Sequence, residues 1–327
     1  MDRQRIAVTR LLPGGALDRL RTAGNVAVHT DDRAPTRDEV VALARDADGL
    51  LCLLTERIDA ALFDATPRLR VVSNYAVGVD NIDVAEATRR GILVTNTPDV
   101  LAEATADLTW ALLLAACRRL GEGERLARSG EWRGWAPMQL LGADVYGKTL
   151  GIVGLGRIGQ AVARRAMGFG MTILHHTRRP VDAAVERALG ARSVGLEELL
   201  RESDIVSLHV PHTAETRHFI NGERLRLMKR SAYLVNTARG AVIDEAALVD
   251  ALRDGIIAGA GLDVYEHEPR LTPGLLTLEN VVLAPHLGSA TIEARTAMAG
   301  LAADNLLAAL AGLRPPHPVN SDALKLY

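Results

Sequence analysis

The chain has 327 residues, of which 48% are hydrophobic and 24% charged, so we expect a large core and two domains. A formal net charge of -2 gives no reason to expect nucleic acid or an anionic membrane as a partner. The stretch MDRQRIAVTR has no apolar signal core and the run WALLLAAC is too short to span a bilayer, so we predict a cytoplasmic protein.

Short apolar runs alternate with amphipathic stretches in the first hundred residues. The runs IAVT, GLLCLL, RVVSN and GILVTN are typical of buried parallel strands. Between them, TRDEVVALARDA and NIDVAEATRR predict helices, because each begins near Thr or Asp, which are good N-cap residues. This order predicts a doubly wound parallel sheet.

A second alternation of the same kind follows Pro98. The long helical segment DVLAEATADLTWALLLAACRRL and the polar loop RSGEWRGWAPMQLLGADVYGK come first. From TLGIVGLGRIG onward, strands are predicted at TILHH, DIVSLHV, AYLVNTA, IAGAGLDV and VVLAPH, and TIEARTAMAGLAADNLLAALAG is the last helix. We therefore predict an α/β fold in which a Rossmann nucleotide-binding domain (99–290) is inserted into a flavodoxin-like substrate domain (1–98 and 291–327).

The stretch LGIVGLGRIGQ places three glycines between a predicted strand and a predicted helix. Gly154 permits a tight turn, Gly156 lets the backbone approach a pyrophosphate, and Gly159 lets helix and strand pack closely. The phosphates would then face the N–H groups at the start of the helix, around Arg157 and Ile158. The strand–turn–helix context favours dinucleotide binding over an ordinary turn.

The next strand ends in Thr177, Arg178 and Arg179, where a nucleotide-binding fold usually has an acid. An acid there accepts hydrogen bonds from the ribose and repels a 2′-phosphate, and Thr177 removes that repulsion. The two arginines supply donors and positive charge for a phosphate. We predict that NADP(H) is preferred, with NAD(H) as the alternative cofactor; a solvated basic turn is the competing interpretation.

Three later segments carry polar residues where strand ends should line a crevice: Arg239 in LVNTARGAVIDE, Glu268 in GLDVYEHEPRL and His286 in VVLAPHLGSAT. Hydride transfer to a ketone requires a proton donor, a group that keeps that donor protonated, and a cation for a carboxylate substrate. His286, Glu268 and Arg239 fit these roles in that order. A carboxylate beside an imidazole favours its protonated form.

The motifs GLGRIG, NTARG, GLDVYEHEP and APHLGSAT resemble the signatures of the D-isomer-specific 2-hydroxyacid dehydrogenase family, over essentially the whole chain. Within it, LLTERID, SNYAVGVDNID, VTNTPDVLAEATADL and RSGEW are most similar to the NADP(H)-preferring glyoxylate and hydroxypyruvate reductases. The resemblance implies that Arg239, Glu268 and His286 are the catalytic residues.

The resemblance also implies a substrate loop and further cofactor contacts. The backbone N–H groups of Val77 and Gly78 would bind the substrate carboxylate, with Leu53 beside the substrate. N–H groups near a glycine form an anion nest that can hold a carboxylate, although an ordinary strand-to-helix turn is the alternative. The implied cofactor contacts in the later part of the chain are Thr105, Thr237, Ala238, Asp263 and Gly288.

We therefore expect NADPH-dependent reduction of glyoxylate, and of hydroxypyruvate, to the 2-hydroxy acid. The alternatives are another D-2-hydroxyacid dehydrogenase, phosphite oxidation, and a nucleotide-sensing corepressor that is not an enzyme. Val77 stands where the resemblance implies a lysine in phosphite-oxidising relatives, which disfavours that activity.

The family resemblance implies a homodimer formed through residues 101–145, where Trp132 and Trp135 would either shape specificity or simply pack. No metal is predicted, because the spacing of the histidines, among them His175 and His176, gathers no ligand set. Cys52 and Cys117 lie in apolar runs, which favours buried free thiols.

Overall fold

A computed structural model describes the backbone of residues 3–326 and the side chains of residues 3–323. The chain forms two compact units, which we call unit 1 and unit 2. Unit 1 contains the described residues up to Leu101 and from Ala290 onward, and unit 2 is Ala102–Ser289. In the described chain, no helix has both the length and the apolar composition needed to cross a membrane.

Unit 1 contains a sheet of five parallel strands, in the order β2-β1-β3-β4-β5. These strands are β1 (Arg5–Val8), β2 (Asn25–Val28), β3 (Gly49–Cys52), β4 (Val71–Asn74) and β5 (Leu93–Thr95). Every residue of β3 and β4 is buried, as expected for strands covered by helices on both faces. The order is that of a flavodoxin-like doubly wound sheet, which confirms the prediction.

Five helices cover this sheet. They are α1 (Ala16–Ala23), α2 (Arg37–Ala44), α3 (Ala60–Ala65), α4 (Val84–Arg89) and α12 (Ile292–Leu310), and a short 3-10 helix, Ser321–Leu326, follows. Thr36 caps α2 in a reciprocal box with Glu39, and Asp59 and Asp83 cap α3 and α4 through their side chains. The helices therefore begin where the polar residues of the sequence satisfy their first N–H groups.

Unit 2 contains seven parallel strands in the order β12-β11-β10-β9-β6-β7-β8. The strands are β6 (Thr149–Val153), β7 (Thr172–His176), β8 (Ala191–Ser193), β9 (Ile205–Leu208), β10 (Tyr233–Asn236), β11 (Gly259–Leu262) and β12 (Val281–Leu283). Counted from β6, this is the Rossmann order 3-2-1-4-5-6 with one added strand, which confirms the fold prediction. The strand order reverses between β6 and β9, where such sheets bind ligands.

The helices of unit 2 pack on both faces of its sheet. They are α5 (Ala102–Cys117), α6 (Leu120–Ser129), α7 (Arg157–Gly168), α8 (Ala183–Leu189), α9 (Leu196–Glu202), α10 (Gly222–Leu227) and α11 (Glu245–Arg253), and short 3-10 helices lie at Gly240–Val242 and Leu275–Thr277. One core contains Trp110, whose ring stacks on Phe169 at 4.5 Å between centroids and whose indole N–H donates to the carbonyl of Val162. Cys52 in unit 1 and Cys117 in unit 2 are free and buried, as predicted.

The structure contains a helix, α6, that the sequence analysis did not predict. Helix α5 ends at Cys117, and Arg119 has a left-handed backbone (φ 52°) before α6 begins. None of the residues of α6 is buried. Its ten residues include only two large apolar side chains, Leu120 and Leu126, and the sequence analysis assigned no helix to the residues after Leu120.

Candidate active site

The glycine turn joins β6 to α7 at the carboxyl edge of the unit 2 sheet. Gly154 has φ +97°, and a Cβ there would lie 2.7 Å from the carbonyl oxygen of His209. A Cβ on Gly159 would lie 2.2 Å from the carbonyl oxygen of Gly154, so the helix approaches the turn too closely for any side chain. Both positions therefore require glycine, because a side chain would collide with the backbone of the protein itself.

Gly156 differs from the other two glycines. It is the N-cap of α7 with extended backbone, and apart from its two chain neighbours a Cβ there would meet no atom of the described chain within 4 Å. The protein itself therefore leaves room for a side chain, and a ligand that approaches this backbone closely, such as a pyrophosphate, gives glycine an advantage here. Arg157 and Ile158 form the first turn of α7, whose N–H groups face the amino end of the helix. The residues present thus fit a dinucleotide.

The next strand, β7, ends at His176 beside β6, where the His176 carbonyl accepts a hydrogen bond from Gly154 N. Thr177 follows, and its hydroxyl donates to the carbonyl oxygen of Arg179 at 2.7 Å. This bond closes the turn locally, which is a common use of threonine. Arg178 and Arg179 are exposed and add positive charge at the end of the strand.

Arg239 follows β10 at the same edge of the sheet. The side chain of Asn236, which is fully buried, accepts a hydrogen bond from Ala238 N at 3.0 Å and donates to the Arg239 carbonyl at 2.9 Å. The half-buried Arg239 guanidinium donates to the Ala238 carbonyl at 2.7 Å. Asn236 therefore determines the path of the backbone that carries Arg239.

His286 and Glu268 form a hydrogen-bonded pair beyond β12 and β11. The distance from His286 Nδ1 to Glu268 Oε2 is 2.8 Å, and the other carboxylate oxygen accepts a hydrogen bond from Tyr265 N at 3.0 Å. Both side chains are about one third exposed, at 29% for His286 and 31% for Glu268. The imidazole is thus oriented through Nδ1, and Nε2 is left for a reacting group.

The surroundings of Glu268 favour its ionised form. Burial by itself would raise the pKa of Glu268, but the hydrogen bond and charge of His286, the Tyr265 N–H and the charge of Arg239 lower it below its ordinary value. Glu268 is therefore a carboxylate at neutral pH. All three proposed catalytic residues lie in unit 2, and the Arg239 charge reaches the carboxylate that binds His286.

Asp263 has a role that the sequence did not indicate. It is 1% exposed, and its two oxygens accept hydrogen bonds from Leu287 N at 2.6 Å and Gly288 N at 2.8 Å. Its own carbonyl accepts a bond from His286 N at 2.9 Å. Burial raises the pKa of Asp263, although these N–H groups oppose that effect. Asp263 thus holds the loop in which His286 has a left-handed backbone, φ 55°.

Three buried threonines complete this edge of unit 2. The Thr105 hydroxyl donates to the carbonyl of Gly288 at 3.0 Å, and the hydroxyls of Thr109 and Thr237 lie 2.8 Å apart. Thr105 is 4% exposed and Thr237 7% exposed. Their hydroxyls are engaged within the protein, so in this structure they shape the edge of the site.

The substrate loop predicted in unit 1 turns two backbone N–H groups to one side. The carbonyl of Ala76 accepts a hydrogen bond from Thr97 N at 2.9 Å, and the carbonyl of Val77 accepts one from the Asn96 side chain at 2.7 Å. Because a trans peptide is planar, the N–H groups of Val77 and Gly78 point away from these partners. Both face the side opposite residues 96–97, as an anion nest requires.

An amide network behind this loop escaped the sequence analysis. Asn81 donates to the carbonyls of Leu53 and Glu56, at 3.0 and 3.1 Å, while Asn74 donates to the carbonyl of Gly78 at 2.8 Å. The buried Glu56 carboxylate accepts the N–H of Leu53 at 2.6 Å. The Leu53 and Gly78 loops are therefore tied to each other, which the run NYAVGVDN could have suggested through its two asparagines.

Two other histidines of unit 2 have side-chain partners, which are Glu186 for His175 and the Ser207 hydroxyl, at 2.8 Å, for His209. His175 is fully buried and lies 2.9 Å from a carboxylate oxygen of Glu186, and burial lowers the pKa of His209 to about 3. The sequence did not single out His29, which with Asp31 and Glu39 forms a group of ligand atoms within 4.8 Å in unit 1. Arg33 donates to both Glu39 carboxylate oxygens, so that group is already an ion pair.

Comparison with known proteins gives the chain's relationships. The model of the family described as D-isomer specific 2-hydroxyacid dehydrogenase, NAD binding domain, matches residues 110–288. A glyoxylate reductase of Thermococcus kodakarensis is 56% identical over 328 residues, which cover 99% of this chain and 98% of that protein.

Solved structures agree with the sequence matches. A protein of Thermus thermophilus has a TM-score of 0.90 at 52% identity, in a match that covers 97% of this chain and 100% of its own. An NADPH-dependent glyoxylate/hydroxypyruvate reductase of Sinorhizobium meliloti, in complex with NADP and malonate, has a TM-score of 0.86 at 38% identity. That match covers 98% of each chain.

Proposed function

Because the chain belongs to the D-isomer specific 2-hydroxyacid dehydrogenase family and is an NAD(P)-dependent oxidoreductase, we propose that it reduces glyoxylate with NADPH. Hydroxypyruvate is the second proposed substrate. The observation that carries this proposal is the 2.8 Å contact between His286 and Glu268 on the sheet edge that also holds the glycine turn. The names of the relatives from Thermococcus and Sinorhizobium support the choice of substrates.

The proposed roles follow from the chemistry of each side chain. Bound at the glycine turn, the cofactor supplies the hydride. His286, protonated and oriented by Glu268, gives a proton from Nε2 to the carbonyl oxygen as that oxygen gains charge. Arg239 polarises the carbonyl and binds the substrate carboxylate, since a guanidinium can donate two parallel hydrogen bonds. The N–H groups of Val77 and Gly78 are the proposed second carboxylate contact.

The preference for NADPH is part of the proposal. It is supported by the absence of an acid among residues 177–179 and by the exposed charges of Arg178 and Arg179. The backbone at Gly156 and the start of α7 would hold the pyrophosphate, in a turn that Gly154 and Gly159 permit, and Asp263, through Gly288, shapes the nicotinamide end. A cytoplasmic location remains a prediction from the sequence.

Steady-state rates with NADPH and NADH against glyoxylate, hydroxypyruvate, pyruvate and phosphite test this function. We expect the highest kcat/KM for glyoxylate with NADPH, and lower values for pyruvate. If the kcat/KM for phosphite with NADP⁺ exceeds the kcat/KM for glyoxylate with NADPH, the phosphite alternative replaces the proposal. An absence of turnover in the whole panel, with NADPH still bound, would leave the corepressor alternative.

We further propose that two copies of the chain associate through residues 120–146. Of the fifteen large apolar side chains that are exposed among those described, six lie in this stretch. They are Leu120, Trp132, Trp135, Met138, Leu141 and Tyr146, and Trp135 alone is 85% exposed. A concentration of exposed apolar side chains in one stretch favours an interface between proteins.

Charge placed on this surface is expected to separate the copies. The double variant Trp135→Glu, Met138→Glu should sediment as a monomer at micromolar concentration, because two desolvated carboxylates would have to enter an apolar interface. The matched control is Ile292→Glu, which changes an 81% exposed apolar side chain on α12 of unit 1 and should leave the assembly unchanged. A wild-type protein that sediments as a monomer would contradict the proposal.

A further inference from the structure

The peptide group that joins Tyr265 to Glu266, here called the 265–266 peptide, lies next to groups that bind the proposed catalytic residues. The N–H of Tyr265, which belongs to the preceding peptide and is joined to this one through the Cα atom of Tyr265, donates to Glu268 at 3.0 Å, and Glu268 in turn binds His286. A small displacement of this peptide would therefore move the carboxylate that orients the imidazole. The effect on hydride transfer would be large, since reacting groups must be placed to within a fraction of an ångström.

The same peptide packs against the turn that carries Arg239. A Cβ on Gly240 would lie 1.8 Å from the carbonyl carbon of Tyr265 and 2.3 Å from the nitrogen of Glu266. Gly240 begins the short 3-10 helix directly after Arg239, so the two backbones are in direct contact. The position of the 265–266 peptide thus determines where both Arg239 and Glu268 lie.

One buried carboxylate holds this peptide. Glu245, the first residue of α11, is 2% exposed. Its Oε1 accepts the N–H of Glu266 at 2.7 Å, and its Oε2 accepts the hydroxyl of Thr272 at 2.5 Å. The two donors lie on either side of Glu268 in the chain, so Glu245 binds both ends of the loop that carries this residue.

The other anchor of the loop is more accessible to water. The side chain of Glu266 accepts hydrogen bonds from His218 at 2.7 Å and from Arg217 at 3.2 Å, whose side chains are 35% and 57% exposed. Solvent weakens such contacts, whereas a buried carboxylate with satisfied hydrogen bonds holds its partners firmly. Glu245 is therefore the principal constraint on the loop.

We propose that Glu245 is a positioning residue for the reduction, acting through the 265–266 peptide on Glu268 and Arg239. This inference rests on the proposed function, because it assumes that these two residues serve catalysis. Glu245 itself touches neither substrate nor cofactor in this proposal.

Three variants of Glu245 separate geometry from charge. In Glu245→Gln, the amide oxygen can still accept the Glu266 N–H and the amide nitrogen can donate to Thr272, so we expect kcat within about threefold of wild type. Glu245→Ala removes both contacts, and we expect a loss in kcat of about 100-fold with an unchanged Kd for NADPH. Should the alanine variant fail to fold, Glu245→Asp keeps the charge but cannot reach both donors, and an intermediate loss is expected.

The matched control is Asp244→Ala, because Asp244 caps the same helix by accepting the N–H of Ala247 at 3.1 Å. It should lower the melting temperature and leave kcat within about twofold of wild type, as loss of a cap destabilises a helix without touching the 265–266 peptide. In Glu245→Ala, the basic limb of the kcat–pH profile for reduction should also move to lower pH, since a displaced Glu268 stabilises the imidazolium less. A purely structural role would change the active fraction but not this profile.

Wild-type rates decide first whether the proposed function holds. If glyoxylate is not reduced, that proposal fails by itself, and the Glu245 variants are measured with the 2-keto acid that the panel identifies. A folded Glu245→Ala protein with wild-type kcat and pH profile overturns the positioning role. So does an Asp244→Ala protein with the same loss of kcat.

Discussion

Replacing His286 with alanine is expected to lower kcat for glyoxylate reduction by about 10²- to 10⁴-fold, the usual contribution of a positioned general acid. Without the imidazole, the developing alkoxide must take its proton from water. The Kd for NADPH should stay unchanged, because the glycine turn and α7 form a separate part of the sheet edge. Steady-state kinetics and a titration of NADPH fluorescence measure the two quantities.

The pH dependence of the same variant gives an independent check. Reduction needs a protonated imidazole, so the wild-type rate should fall as pH rises, and the His286→Ala variant should lose this basic limb. In the wild-type protein, burial raises the pKa of Glu268, but the hydrogen bond and charge of His286, the Tyr265 N–H and the charge of Arg239 together lower it below its ordinary value, so Glu268 is ionised in the neutral range. A matched control is His267→Ala, which removes an exposed imidazole next to Glu268 and should retain both rate and profile. Retained turnover in His286→Ala would refute the assignment.

Much of the fold follows from local sequence patterns, and the exceptions share a physical cause. The buried strands β3, β4, β6 and β9 are short apolar runs, which the sequence displays directly. The strands β2 and β8 lie at sheet edges and contain no buried residue, and the sequence analysis assigned no strand to NVAV or ARS. Edge strands depend on pairing with a neighbour more than on burial.

The candidate site likewise contains residues that the sequence predicts and residues that it does not. Residues at the carboxyl ends of parallel strands converge by topology, so a strand prediction suffices to bring Arg239, Glu268 and His286 to one edge. The residues that hold these side chains in place could not be predicted in this way. Asp263 and Glu245 bind backbone N–H groups more than twenty residues away, and such partners exist only after the loops have packed.

The turn after β7 provides the second large prediction. Replacing Arg178 with alanine is expected to lower kcat/KM for NADPH by about 10- to 100-fold, since a hydrogen bond to a charged group contributes about 1.5–3 kcal/mol. The value for NADH should change little, because NADH has no 2′-phosphate for the guanidinium to bind. The matched control is Arg187→Ala, which removes an arginine in the last turn of α8. Kinetics with both cofactors at fixed glyoxylate measure the ratio.

Thr177→Asp should shift the cofactor preference from NADPH towards NADH more strongly than Arg178→Ala does. The aspartate places a negative charge where the 2′-phosphate would lie and offers an acceptor to the ribose hydroxyls. Asn is the matched control at this position. Thr177→Asn has the same shape as Asp without its charge, and its amide can donate to the Arg179 carbonyl as the wild-type hydroxyl does. A similar loss of NADPH preference in both variants would show that the geometry of the turn, and not charge, sets the preference.

The exposure of Arg178 indicates which end of the expected range applies to it. Arg178 is exposed, and water weakens a hydrogen bond or an ion pair at such a position. The pKa of Glu215 is lowered mainly by the hydrogen bond from the Thr213 hydroxyl, and the charge of Arg178 adds a smaller effect. We therefore expect the loss in Arg178→Ala to be nearer tenfold than 100-fold. A NADPH preference unaffected by this variant would leave the basic turn as solvated surface.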